Sequence, residues 1–232
     1  KIIPLGIDDE IFSIKPVPDK PPKPEVIFVS NPERGLDWLV DIWINKIIKL
    51  VPDAKLNIYA GSKTYGGRHN EIINQILHKV KILKNNSINI FEPIEKYKLF
   101  KKITESRSMF YMGDKGETFC LAVAEAQALG LPCIVKPIGS LEERVKHKIT
   151  GEVIQEDNKF IDAAVNLLTN DEDWPKGEEF NLFNARLGGY DFVDNWINNG
   201  TVKEIKVINR LFDQPQFGLK QHWKNIDFYT DL

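Results

Sequence analysis

The chain has 232 residues, 42% of them hydrophobic and 28% charged, with a formal net charge of −2. That length and balance fit one globular domain able to bury a real core, with room for an appendage. A net charge so near zero offers no global attraction for nucleic acid or an anionic membrane, so neither is an expected partner of these residues.

Pro16, Pro18, Pro21, Pro22 and Pro24 make the clearest breaker-rich segment. It reads as an extended connector, because proline fixes φ and restrains the residue before it. Residues 1–24 are therefore assigned to a linker and connector, and the domain proper is expected to start near Glu25. From there apolar runs alternate with amphipathic stretches. Val26 to Val29 reads as strand, Leu36 to Leu50 as helix, Leu56 to Ala60 as strand and Asn70 to Leu83 as helix. Ile88 to Phe91 is the next strand, Tyr97 to Thr104 a helix, Met109 to Tyr111 a strand and Phe119 to Leu129 a helix. Cys133 to Val135 and Gly151 to Ile154 read as the last strands, followed by a helix from Phe160 to Leu168. Beyond it, the aromatics of Tyr190 to Trp196 have helical spacing, and the domain is taken to end near residue 198. Residues 199–232 are a C-terminal extension to which no role is assigned.

Strands separated by helices imply βαβ units, so the expected fold class is α/β, a doubly wound parallel sheet covered on both faces. In such sheets ligands bind beyond the C-terminal strand ends. Ser30 to Gly35, Gly61 to Gly67, Glu92 to Ile94, Met112 to Glu117 and Lys136 to Ser140 all follow strands, so they converge on one edge by topology alone.

The chemistry concentrates in Glu117-Thr118-Phe119-Cys120-Leu121-Ala122-Val123-Ala124-Glu125-Ala126-Gln127-Ala128-Leu129-Gly130, where two acids stand eight residues apart. Glu117 falls just ahead of a helix, beside N–H groups that attract anions. Glu125 falls inside an apolar helix, where a carboxylate needs a ligand or a fixed hydrogen bond to offset its desolvation. A ligand carrying both phosphates and hydroxyls suits this setting, and a nucleotide sugar is one. Glu117 also has a plainer reading, as a complement to the helix dipole. No G-x-G-x-x-G follows a predicted strand, no P-loop occurs, and the histidines lack metal spacing. Cys120 and Cys133 read as thiols in a reducing, cytoplasmic setting rather than a disulfide framework. Cys120 is a small core residue or, at a helix N-terminus, a weak nucleophile candidate. No apolar run reaches the length of a bilayer span and no signal peptide precedes the linker-like block, while residues upstream of it could hold either.

Glu117 and Glu125 form the E-x7-E pattern of retaining GT-B glycosyltransferases, and the chain resembles family 4 of that class through further blocks in order. Ile3-Pro4-Leu5-Gly6-Ile7-Asp8 with Phe12 is similar to the linker between that family's two domains. Ser30-Asn31-Pro32-Glu33-Arg34-Gly35-Leu36-Asp37 is similar to its first phosphate loop and helix. Lys55 to Gly61, and Gly139-Ser140-Leu141-Glu142-Glu143 with Thr150-Gly151, fit as well. The resemblance implies the Rossmann-like, donor-binding C-terminal half of such an enzyme. It would bind a UDP-, GDP- or ADP-linked sugar for retaining transfer of a hexosyl group to a glycan, lipid or other acceptor, with no metal and no other cofactor. The partner implied is an N-terminal acceptor-binding domain, in cis or in trans, and any membrane association would come through that half.

Carried over residue by residue, the resemblance places Glu117 near the donor sugar and Glu125 on the ribose hydroxyls. The backbone N–H groups of Thr118, Phe119 and Cys120 would hold the distal phosphate, and the backbone of Ile94, just past Pro93, would meet the base edge. Arg34 is the leading phosphate cation. Ser30 and Asn31 lie in the same loop, Asn31 near the place where the family usually has an arginine, and Lys63 is the candidate replacement for the missing cation. The Tyr190 to Trp196 segment resembles the family's terminal helix, with plain core packing as the alternative. Two other functions are compatible with the residues: a nucleotide-sugar epimerase of GT-B architecture, or a non-catalytic nucleotide-sugar-binding module that needs a partner domain.

Overall fold

The computed structural model describes residues 20–61, 70–148 and 151–172, together with residues 11, 13, 14, 18 and 174. The readings made on the first block, Phe12, Lys63, Thr150, residues 190–196 and the 199–232 extension lie outside the described residues.

The described chain alternates strand and helix as its periodicity requires. β1 (Glu25–Phe28) leads into one long helical run, in which α1 (Leu36–Ile42) passes through a π-helical turn (Trp43–Ile47) into α2 (Ile48–Leu50). The wider turn keeps both Trp43 and Ile47 fully buried, and the Trp43 indole N–H donates to Ser87 Oγ at 2.9 Å. Then follow β2 (Lys55–Tyr59), α3 (Asn70–Ile82), β3 (Ile88–Phe91), α4 (Lys96–Glu105) and β4 (Ser108–Tyr111). α5 (Leu121–Ala128), β5 (Cys133–Val135), α6 (Leu141–Arg144), β6 (Glu152–Val153) and α7 (Asp157–Thr169) complete it.

All six strands are parallel, in the order β3-β2-β1-β4-β5-β6. The sheet is the expected Rossmann-like one. α1, α3 and α7 cover one face, with α7 against the π-helical turn, β4 and β5; α4 and α5 lie together on the other. β4 and β5 are buried at every position and β1 at all but its first, as a sheet covered on both faces demands. Phe160 locks α7 down, meeting Trp38 of α1 edge-on at 5.0 Å and Phe110 of β4 edge-on at 5.8 Å. Ile11 and Ile14, from the stretch read as linker, are buried in the same core.

The strand order reverses between β1 and β4. At that point consecutive crossovers leave in opposite directions, which opens a crevice beyond the carboxyl ends of the two strands. Several of the candidate site residues are arranged around it.

Candidate functional site

Ser30, just past β1, and Tyr111, the last residue of β4, touch across the reversal, with their hydroxyl oxygens 2.9 Å apart. The loop after Ser30 is a tight turn. Asn31 Oδ1 accepts the Glu33 N–H at 3.0 Å, its amide donates to Glu33 Oε2 at 3.3 Å, and the Arg34 N–H closes on the Asn31 carbonyl at 2.9 Å. Gly35 follows with φ +87°, and a Cβ there would stand 2.5 Å from Met112 Cβ. Only glycine lets the β1 loop pass the β4 loop this closely, and the turn aims Arg34 at Glu117.

Glu117 is buried and densely held. Arg34 Nη1 donates to Oε2 at 2.6 Å, the Tyr111 hydroxyl donates to the same oxygen at 3.0 Å, and the Cys120 N–H donates to Oε1 at 3.1 Å. Its backbone is fixed too. The Ser140 N–H donates to the Glu117 carbonyl at 2.9 Å, and Gly139 sits so close that a Cβ would fall 2.6 Å from the same oxygen. Next to it, the Arg144 guanidinium lies 4.1 Å from the centre of the Phe119 ring and donates from Nε to the Phe119 carbonyl.

Glu125 projects from α5 as a second buried acid. Its Oε1 lies 2.7 Å from the ammonium of Lys96, the first residue of α4. Lys96 follows Pro93 and Ile94 in the loop beyond β3, and Ile94 is partly exposed there. The crevice thus carries two acid–cation pairs, one at the mouth of α5 and one a turn further in.

Burial above all, with the Glu117 carboxylate adding to it, raises the Tyr111 phenol far above its ordinary value, so it remains a proton donor throughout the working range. Burial pulls the Arg34 guanidinium down, but Tyr111 and Glu117 outweigh that and hold it above its ordinary value, a fixed cation.

Two expectations are corrected, and for Cys120 the core-residue reading holds over the nucleophile. The site helix begins at Leu121 rather than Phe119, because Cys120 takes a left-handed conformation (φ 59°) at the N-cap, with its N–H held by Glu117. The Cys120 N–H is therefore occupied by a carboxylate in this state. Cys120 is not an activated thiol: burial and then the Glu117 charge push it up to about 12. The two acids do not stand open for hydroxyls, since each is paired to a cation. Among the other predicted residues, Ser30, Arg34, Glu117 and Cys120 come together, whereas the Asn31 side chain is turned onto Glu33.

Tyr111 and Lys96 escaped the sequence reading. A tyrosine closing a buried strand is a signal, since its hydroxyl needs a partner. Lys96 carries none, being one of several lysines on its helix. Lys136 was also missed as an individual. It is buried at the end of β5, bonds the Gln155 carbonyl and Asp157, and lies 5.2 Å from the Trp38 ring.

A recess of about 690 Å³ opens at the β6 edge, lined by residues such as Pro137, His147, Glu152 and Lys159, and none of the predicted site residues lines it. No group of three or more His, Cys, Asp or Glu side chains that could share an ion occurs among the described residues. No helix among them is long and apolar enough to cross a membrane.

Residues 23–170 match the family model for glycosyl transferases group 1. A probable sucrose-phosphate synthase from Thermosipho melanesiensis is 24% identical over 174 residues, which are 74% of this chain and 40% of that protein. The sucrose-phosphate synthase structure from Thermosynechococcus elongatus superposes with a TM-score of 0.62 at 19% identity, covering 92% of this chain and 53% of that one. A variant of TarM from S. aureus, solved in complex with fondaparinux, alpha-GlcNAc-glycerol and UDP, superposes with a TM-score of 0.56 at 17% identity, covering 79% of this chain and 37% of that one. At such identities the likeness is one of fold, that of the GT-B glycosyltransferases, and the chain spans less than two thirds of each of these proteins. The match along most of the described sheet, site loops included, means that this chain belongs to the group 1 glycosyl transferases.

Proposed function

We propose that this chain binds a nucleotide-diphosphate sugar at the β1–β4 reversal and is the donor-binding, C-terminal half of a family 4-like retaining hexosyltransferase. The observation that carries the reading is the Arg34–Glu117 pair, a half-exposed cation 2.6 Å from a buried acid at the mouth of α5, with Glu125 on the same helix. A cation at that spot suits a diphosphate, and the acids suit hydroxyls. That a TarM variant of the same fold was solved with UDP is consistent with it.

In this reading Arg34 turns from Glu117 to the diphosphate, and Lys63 supplies further charge. Charge builds on the diphosphate as the anomeric bond breaks, so cations and N–H groups already aimed there lower the barrier. The N–H groups of Thr118 and Phe119 contribute at the helix mouth, Cys120 once its N–H is released by Glu117. Glu117 then accepts from the donor sugar, Glu125 from the ribose hydroxyls, and the Ile94 backbone meets the base edge. Ser30 and Asn31 shape the phosphate loop. The positive charge comes from side chains and dipoles, with no metal or other cofactor assigned. The acceptor site comes from an N-terminal domain in cis or in trans, and the reaction is placed in the cytoplasm.

Calorimetric titration with UDP, GDP and ADP tests the reading. One of them is expected to bind, and both Arg34→Ala and Glu125→Ala to weaken it. If none binds the wild-type chain, donor binding is refuted. Transfer by this chain alone is expected to be slow or absent, and robust turnover would overturn the claim that the acceptor half lies elsewhere.

A further inference from the structure

The proton order around Glu117 makes Tyr111 more than a packing residue. An ionised carboxylate only accepts hydrogen bonds, so the phenol must spend its single proton on Glu117 Oε2, 3.0 Å away. The Ser30 hydroxyl, 2.9 Å from the same phenol, must then be the donor in their contact. A directed relay therefore runs Ser30 to Tyr111 to Glu117, from the loop after β1, across the strand-order reversal, to the acid before α5. Tyr111 is 1% exposed and its ring packs beside Phe28, with centroids 6.2 Å apart, so the phenol is enclosed by the core.

Arg34 differs, with 37% of its side chain exposed. It is the donor to Oε2 that an arriving anion can take away, and Tyr111 is the one that stays. Of the donors described, Oε2 takes two, whereas Oε1 takes the Cys120 N–H. Losing Arg34 to a ligand would open one place on Oε2 without releasing the carboxylate, provided Tyr111 still holds it.

We propose that Tyr111 is a positioning residue that keeps Glu117 aimed at the donor sugar once Arg34 has moved to the diphosphate. The inference rests on the proposed donor binding. It predicts that Tyr111 acts on recognition of the sugar and not of the nucleotide.

The test compares the affinity of the chain for a nucleoside diphosphate and for its glucose conjugate, across the uridine, guanosine and adenosine forms. The ratio of the two isolates the sugar's share. Tyr111→Phe keeps the ring and removes only the hydroxyl. It is expected to leave diphosphate affinity within about twofold and to cut the sugar's share about tenfold, as suits a lost hydrogen bond to a charged group. The relay is overturned if Tyr111→Phe keeps the sugar's share, if it weakens diphosphate and conjugate equally, or if the wild-type chain gains nothing from the sugar. Failure of the wild-type chain to bind any of the diphosphates refutes donor binding itself, a separate result. Should Tyr111→Phe not fold by circular dichroism, Ser30→Ala decides. Removing the upstream donor is expected to lower the sugar's share in the same direction, and an unchanged share overturns the proposal.

Discussion

The two ends of the sheet each hold an arginine against the strand termini, and the two are satisfied in opposite ways. At the N-terminal end Arg107, immediately before β4, is buried. Its Nε donates to the Leu167 carbonyl at 2.7 Å and its Nη1 to the Pro22 carbonyl at 3.0 Å. Nη2 lies 2.7 Å from Asp171 Oδ1 but out of hydrogen-bond alignment, and the Trp174 indole closes over the Arg107 carbonyl. These bonds tie the connector, β4 and the end of α7 together. At the C-terminal end Arg34 is half exposed and is held through one nitrogen by an acid that has other donors. A cation clamped by backbone carbonyls is built into the fold; one held through a single nitrogen and open to solvent is free to exchange partners.

The largest effect is expected at the clamped end. Arg107→Met should lower the free energy of unfolding in urea by about 3 kcal/mol, because buried carbonyls lose a charged donor. Nucleotide affinity should be unchanged under conditions where the variant is folded. Arg34→Ala should do the reverse, costing about 2 kcal/mol of diphosphate binding in calorimetry. Its cost in stability should stay under about 1 kcal/mol, since an ion pair with one exposed partner is screened by water. If both arginines moved stability alike, the contrast between the two ends would be lost.

A smaller effect concerns thiol chemistry at the C-terminal end. With Cys120 pushed up to about 12 and Cys133 raised as well by burial, neither should react with iodoacetamide in the native state at pH 8. Both should react fully in urea, as read by mass spectrometry; native labelling of Cys120 would mean an activated thiol. The smallest effect is a pH dependence. The hydrogen bond from Lys136 holds the Asp157 carboxyl below the ordinary aspartate range. A depressed carboxyl contributes stability that is fully present above its unfolded value and is lost as the pH falls through the folded one. Asp157→Asn should therefore flatten the acid limb of the unfolding curve and leave stability near neutrality only slightly lower.

Much of this was legible beforehand where the signal was local. The alternation of apolar runs located every described strand to within a residue or two, and the loops after them marked the edge where Arg34, Glu117 and Glu125 lie. The start of α5 was misplaced because Cys120, a non-glycine residue in a left-handed conformation, owes that conformation to its surroundings rather than to its own preference. Tyr111 and Lys96 were not singled out, and neither was the pairing of both acids, since such partners are chosen by approach in space. Arg34 and Glu117 are 83 residues apart in the chain.

The residues alone determined an alternating α/β domain and the strand ends that carry polar chemistry, because period and turn chemistry are properties of neighbours along the chain. The tertiary structure decided which cation meets which acid, which hydroxyl donates to which, and which helix end is occupied. Those depend on the strand order, and parallel pairing across β1 and β4 brings together groups whose distance in sequence carries no information about their distance in space.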